Sequence, residues 1–354
     1  EIDMGSLDPR RYGRWMTTEY AKRKNEEAYE HVYVLHHPDE EREACRPLRT
    51  APSYNTFKIL GAQFGQVNGW ERPNYFAKPD FKDKKSRSFR RGLWWEYSKN
   101  EAEAIRSNVG LIDSTAFTKH LVSGKNAFKF LDWFTCNKLP AKGRINLTYA
   151  LSSKGTIRTE YTIVHLSENS YYLVSAGAWT EYDSDYLKKS LEKSEIEDVQ
   201  VYDCTNQWGV FSIAGPNTRA MLEDLVVSKD PLKTLSNKEF PWLTYRDIEI
   251  GMCPVRALRV AYTGELGWEL HHPIEMQNYL LDTILETGKK YNLKLVGARA
   301  QNWLRQEKSY RAFGSDLGRD AGPFESNLSR FVDLSKDFLG KEELEKRKLE
   351  YLCV

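Results

Sequence analysis

The sequence predicts an α+β fold built from antiparallel sheets and helices. Three observations predict it. Strand pairs and helices follow one another without strict βα alternation. β-prone runs are joined by tight polar turns, as in TIRTEYTIVHLSENSYYLVS at 156–175 and RVAYTGELGWELHHP at 259–273. No segment recurs at a period of 20–50 residues, so a solenoid or propeller is not expected. The 354 residues suffice for two or three units with real cores.

Along the chain, the first 91 residues read as irregular and polar. EYAKRKNEEAYEHVYVLHH predicts a helix over roughly 19–30 leading into a short strand. HHPDEEREA predicts a turn with an acidic helix start. Pro47, Pro52, Pro73 and Pro79 punctuate the rest of this region. GAQFGQVNG at 61–69 has three glycines without phosphate-loop spacing and reads as loop. KPDFKDKKSRSFRR at 78–91 is a basic run, read as a solvated linker.

Periodicity becomes regular after Trp95. Ser98 followed by Glu101 has capping-box spacing and opens a helix through Ser107, stopped by Asn108 and Gly110. LIDSTAFTKHLVSG predicts a strand pair or one bent strand. AFKFLDWFT predicts a helix at 127–135, and 156–175 a strand, a turn at Glu168-Asn169 and a second strand. WTEYDSDYLKKSLEKS is an amphipathic helix. WGVFSIAG is a strand, after which Pro216 occupies a helix start. The hairpin at 259–273 has arms Arg259–Tyr262 and Trp268–Leu270. A helix at 275–288 comes next, then a helix in RAQNWLRQEKSYRAF with Trp303 and Leu304 on its apolar side.

Bulk properties narrow the function. Fifty-two basic and 50 acidic residues leave a net charge of +2, without the basic footprint of a nucleic-acid protein. No apolar run reaches the length of a membrane span. The first residues lack the basic start and apolar stretch of a signal peptide and include no initiator Met, so a longer precursor is compatible. Five scattered cysteines without C-x-x-C suggest buried thiols in a reducing compartment. The pairs His36-His37 and His271-His272 would point to opposite strand faces, so no metal site is expected. Thirteen per cent aromatic residues fit a pocket for a flat ligand or simply a bulky core. G-x-G-x-x-G, the P-loop and G-x-S-x-G are all absent, and no cysteine has a local histidine partner. One residue stands out. Glu269 lies in a strand between Trp268 and Leu270, where a carboxylate is costly if that face is buried.

YTGELGWEL resembles the Y-T-G-E-x-G-x-E hairpin of the glycine-cleavage T-protein (aminomethyltransferase) superfamily. GLIDSTAFTKHLVSG, GRINLTYALSSKGTIRTEYTIV, WGVFSIAGPNTRAML and ARAQNWLRQEK resemble its other segments in the same order. SLDPRRYG, NEEAYEHVYVLHHPDEERE, RPLRTAPSY and GWERPNYFA resemble the middle region of the dimethylglycine and sarcosine dehydrogenase group. The resemblance covers essentially the whole chain. It implies an aminomethyltransferase-like folate-binding fold divided at 1–95 (middle or linker region of FAD-dependent amine dehydrogenases), 96–335 (folate-binding domain) and 336–354 (start of a truncated C-terminal barrel).

The implied cofactor is tetrahydrofolate. FAD enters only through an N-terminal domain absent from this sequence, where an N-methyl amine would be oxidised. The resemblance places Glu269 on the two parallel N–H donors of a pterin edge, with Tyr262 lining the same pocket. A carboxylate offers two acceptor oxygens at matching spacing, the geometry of a bidentate pair. Glu160 aligns with the family's catalytic carboxylate, commonly Asp. Phe117, Leu147, Tyr172 and Val174 fall where the family packs the pterin and its aryl linker. Arg299 would meet a folate carboxylate or lie solvated near a helix start. Arg330 departs from the pattern, since relatives tend to carry an aromatic there, and Phe331 stands beside it.

The implied function is capture of the released carbon as 5,10-methylenetetrahydrofolate, with no amine oxidation by this chain alone. A stand-alone folate-dependent aminomethyl- or demethyltransferase is a second reading, and a non-catalytic regulatory relative a third. The implied partners are folate and an amine delivered through the flavin part, without nucleic acid or membrane. The implied compartment is the cytoplasm in a bacterium and the mitochondrial matrix in a eukaryote.

Overall fold

The computed structural model describes residues 7–352 other than 14, 39, 79–80 and 82–88. The basic run at 78–91 therefore falls largely outside the described residues, as does Cys353. The chain opens with α1 (Thr18–Glu30), capped by the Thr17 hydroxyl, which accepts from the Tyr20 amide at 3.2 Å. Next come α2 (Tyr54–Ile59), β1 (Ala62–Val67), β2 (Trp70–Phe76) and α3 (Trp94–Ser107). The middle part holds β3 (Gly110–Asp113), β4 (Thr118–Ser123), α4 (Ala127–Phe134), β5 (Ile145–Leu151), β6 (Ile157–Ser167), β7 (Ser170–Ser175), α5 (Thr180–Ser194) and β8 (Gln200–Asp203). The last part holds β9 (Trp208–Ala214), α6 (Thr218–Leu225), α7 (Pro231–Thr234), β10 (Tyr245–Ile250), β11 (Cys253–Leu258), β12 (Gly267–Pro273), α8 (Gln277–Gly288), β13 (Lys294–Leu295), α9 (Ala298–Glu307) and α10 (Lys341–Leu352).

Three sheets result. β1 and β2 form a hairpin; a six-stranded sheet runs β10-β11-β12-β9-β3-β13; a five-stranded sheet runs β5-β6-β7-β4-β8. All pairings in named strands are antiparallel except β13 with β3. The α+β class with antiparallel sheets is the observed one. Each large sheet has its own core. Trp268, Leu270, Phe211 and Ile213 of the six-stranded sheet pack with Leu222 of α6 and Leu280 and Ile284 of α8. Phe57 and Ala62, from α2 and β1, join that core. Tyr161, Ile163, Tyr171 and Leu173 of the five-stranded sheet pack with Phe130 and Phe134 of α4 and Leu187 of α5. The sheet faces turned away from these two cores meet in a smaller cluster, with Ile145, Val164, Tyr172 and Val174 of one sheet and Leu258 of the other.

Several expectations are corrected. No strand forms at 31–37. Val32, Tyr33, Val34 and Leu35 are exposed, because β propensity expresses packing on a sheet and no described strand lies beside them. No helix forms among the described residues of 38–45. GAQFGQVNG is β1 and its turn, not loop. Asn68 (φ 48°) and Gly69 (φ 77°) make a two-residue turn that pairs Val67 with Trp70, the Asn-Gly hairpin signal. α3 begins at Trp94, so Ser98 and Glu101 are interior. Glu101 accepts instead from the Phe76 amide (2.6 Å) and the Gly297 amide (2.9 Å), tying β2 and the start of α9 to α3. Pro216 precedes Asn217, the N-cap of α6. In the 259–273 hairpin the first arm is β11, so 259–262 belongs to the connection.

Candidate functional site

Cross-strand partners share a sheet face, which fixes what the five-stranded sheet presents. Tyr149 pairs with Glu160, and Leu147 with Thr162. Thr162 pairs with Val174, and Val164 with Tyr172. Leu147, Glu160, Tyr172 and Val174 thus lie together on the face opposite α4 and α5. Leu147 and Glu160 are half-buried, whereas Tyr172 and Val174 are buried. Phe117, in the turn before β4, is partly buried against Tyr172, Val174 and Leu258. Lys119, paired with Val174, completes the face; its buried ammonium donates to the Thr115 carbonyl (2.8 Å) and the Trp208 carbonyl (2.6 Å). Desolvation pushes it down to about 7.

On the six-stranded sheet the same reasoning applies. Trp268, Leu270 and His272 point into the core, and the His272 ring lies 5.0 Å from that of Phe211. Glu269 and His271 face the other way, with Arg256 opposite His271. The two histidines do point to opposite faces, as their adjacency requires. Glu269 is 8% exposed, so its carboxylate is not a solvent-facing strand residue. Its Oε2 lies 3.3 Å from His271 Nε2. The two sheets meet here: the Tyr172 hydroxyl is 3.0 Å from His271 Nδ1, and the Arg256 guanidinium stands 5.3 Å from the Tyr172 ring centroid and 5.0 Å from that of Trp208.

The Tyr149 hydroxyl donates to Glu160 Oε2 at 2.8 Å. Burial pushes the Glu160 carboxyl up to about 7, and the Tyr149 hydrogen bond opposes that rise. A carboxyl titrating near neutrality can take up and return a proton at working pH. Phe331 packs edge-on against Tyr149 with centroids 6.0 Å apart, and Arg330 stacks over Phe331 at 4.7 Å.

Tyr262 lies in the connection between β11 and β12. Its hydroxyl donates to the Arg311 carbonyl at 3.0 Å and its ring stacks with Tyr310. Burial pushes this hydroxyl up to about 12, with the Glu160 charge acting in the same direction. Tyr262 also lines a cavity of about 380 Å³ with Arg72, Asn74, Arg299 and Gln301. That volume falls within the range of small-molecule sites. The Arg299 guanidinium stacks on Trp94 at 4.1 Å and Tyr75 at 5.1 Å, and the residue is half-buried at the cavity wall.

Sequence reasoning does not single out Tyr149, His271 or Arg256 as site residues. Tyr149 becomes visible only through its register with Glu160. The histidines are conspicuous as a pair, but which member faces the site depends on which face packs the core. Among the described residues no group of three His, Cys, Asp or Glu side chains could hold a metal ion. Cys136, Cys204 and Cys253 are buried free thiols and Cys45 is partly buried. No described helix is long and apolar enough to cross a membrane.

Comparison with known proteins places this geometry. Residues 53–336 match the GCVT N-terminal domain, and residues 1–51 the FAD dependent oxidoreductase central domain. The chain is 35% identical over 354 residues to mitochondrial dimethylglycine dehydrogenase of Mus musculus, covering 99% of this chain and 40% of that protein. It is 28% identical to mitochondrial sarcosine dehydrogenase of Mus musculus, covering 98% of this chain and 42% of that protein. The chain thus spans about two fifths of these relatives. Glycine cleavage system aminomethyltransferase T from Bartonella henselae shares the fold, with a TM-score of 0.69, 23% identity, and coverage of 86% of this chain and 75% of that one. With four fifths of its length matched, the chain belongs to the family of the GCVT N-terminal domain, in the company of the dimethylglycine and sarcosine dehydrogenases.

Proposed function

We propose that this chain is the tetrahydrofolate-binding, one-carbon-acceptor region of an FAD-dependent N-methyl amine dehydrogenase, yielding 5,10-methylenetetrahydrofolate. The observation that carries the reading is the pair of carboxylates on the two sheet faces opposite the main cores: Glu269, buried and fixed by His271, and Glu160, half-buried and titrating near neutrality. Their environments suit different tasks. An acceptor held in one place suits recognition, whereas a carboxyl that exchanges its proton suits chemistry.

The residues fit a folate. Glu269 faces away from the core with 11% of its side chain accessible, and would accept from the parallel N–H groups of a pterin edge. Tyr172, Val174, Leu147 and Phe117 offer an apolar and aromatic wall for a flat ring system. Tyr262, within reach of the Glu160 charge, lines the cavity that holds Arg72 and Arg299, cations suited to the carboxylates of the tail. Tetrahydrofolate, when bound, supplies the nitrogens that take the one-carbon unit. Glu160 would hold a reacting amine and accept its proton at a carboxylate oxygen, while Tyr149 keeps that carboxylate aimed. The packed walls would exclude water from a reactive carbon.

In this reading residues 96–335 are the folate-binding unit, 1–95 join it to the oxidising part, and 336–354 begin a closing barrel. A flavin part linked to this region raises the local concentration of the released carbon. The test is calorimetric titration of the protein with 5-formyltetrahydrofolate. Saturable binding that Glu269→Gln weakens supports the reading; no binding by the parent protein overturns it.

A further inference from the structure

Glu269 and His271 are two residues apart on β12 and share a face, and Tyr172 reaches the same ring from the opposite sheet. We propose that His271 is a positioning residue that holds Glu269 as an oriented acceptor, its Nε2 carrying the ring hydrogen and its Nδ1 accepting from Tyr172. The inference rests on the folate-binding reading above.

The direction of the chain of hydrogen bonds follows from donor capacity. The Tyr172 hydroxyl is buried and burial raises its pKa well above the usual tyrosine value, so it keeps its hydrogen. The ring planes of Tyr172 and His271 stand at 85° with centroids 5.4 Å apart, which brings the hydroxyl to the ring edge. A carboxylate only accepts, so a neutral ring places its one hydrogen on Nε2, toward Glu269, and leaves Nδ1 bare to accept from the Tyr172 hydroxyl at 3.0 Å. Nε2 donates to Glu269 Oε2 at 3.3 Å. The relay runs from Tyr172 through His271 to the carboxylate. Each carboxylate oxygen has about two acceptor directions, so Oε2 keeps one and Oε1 keeps both for a ligand.

The surroundings keep His271 neutral. Arg256 from the six-stranded sheet and Lys119 from the five-stranded sheet both face it, and His272 follows it in the chain. Burial and the two cations lower its proton affinity, against the opposing pull of Glu269. A positively charged imidazole would donate from both nitrogens and turn the Tyr172 hydroxyl from donor to acceptor. A neutral one gives the carboxylate a single fixed partner. Register places this device: β12 fixes the Glu269–His271 spacing, and the packing of sheet on sheet brings in Tyr172.

The experiment uses the full chain, ¹⁵N-labelled, and 5-formyltetrahydrofolate as the probe. Ring-nitrogen spectra of the parent should contain one histidine with pyridine-like Nδ1 and pyrrole-like Nε2 that persists across neutral pH and vanishes in His271→Gln. His271→Leu removes the donor and should weaken binding about tenfold. His271→Gln restores an amide donor and should recover binding to within about threefold of the parent, a rescue that lost packing alone would not produce. Glu269→Gln should leave a mixture of the two ring tautomers, because an amide can donate as well as accept. Protonated Nδ1 in the parent, or parent-like binding by His271→Leu, would overturn the proposal. If the parent does not bind the probe, the folate reading fails, and with it the purpose given to His271; the spectrum still decides the ring proton by itself.

Discussion

Replacing Glu160 by Gln should make the protein more stable at alkaline pH, and the gain can be worked from the structure. The Glu160 carboxyl rises from 4.5 to about 7 in the fold, chiefly by burial. Its folded pKa lies above its unfolded value, so its favourable contribution is complete below pH 4.5 and is lost as pH climbs through about 7. At about 1.36 kcal/mol per unit the loss is about 3 kcal/mol. Partial exposure of the residue lowers this to on the order of 2 kcal/mol. Glutamine has no proton to lose, and its amide oxygen can accept the same bond that Tyr149 donates at 2.8 Å. Urea unfolding of parent and Glu160→Gln at pH 5 and pH 8.5 is the assay. The curves should nearly coincide at pH 5, with the variant on the order of 2 kcal/mol more stable at pH 8.5. Parallel pH profiles, or a variant less stable at pH 8.5, would refute the reasoning. Stability gained where one-carbon transfer is lost would mark a residue kept for chemistry rather than for folding.

Three further outcomes are expected. Glu269→Ala should lower affinity for a reduced folate by roughly thirty- to a thousandfold, the cost of about 2–4 kcal/mol for a buried charge-assisted bidentate contact, measured by calorimetry. Glu101→Ala should destabilise the fold by roughly 2–5 kcal/mol in urea titration, because the Phe76 and Gly297 amides each lose a buried acceptor. In a full-length dehydrogenase carrying this region, Glu160→Gln should leave amine oxidation running while methylene-folate yield falls and free formaldehyde rises; an unchanged product partition would remove Glu160 from the chemistry.

Several elements from Trp95 onward were legible because they carry strong periodicity, whereas β5, β8, β10 and β11 were not singled out. AFKFLDWFT puts Phe130, Leu131 and Phe134 on one helical face, and all three are buried. The first ninety residues were harder for a physical reason. Their hairpin depends on two residues, Asn68 and Gly69, whose left-handed turn outweighs a stretch of polar and glycine residues. HVYVLHH has strand composition but finds no strand edge beside it. Ser98 and Glu101 have the spacing of a cap, yet the helix starts at Trp94, and Glu101 spends its acceptors on two other segments.

The sequence by itself determined that Glu269 sits in a strand between two core residues, that Glu160 alternates with apolar neighbours, and that the two histidines at 271 and 272 cannot face the same way. These follow from the period of two along a strand, which needs only local order. Tertiary structure alone decided which of the two faces packs the main core, that Tyr149 pairs with Glu160, that Tyr172 crosses from one sheet to hold His271 in the other, and that Tyr262 and Arg299 share a cavity. Those contacts join residues as many as 99 positions apart. They arise from register and sheet-on-sheet packing, for which the alternation of apolar and polar residues leaves no local trace.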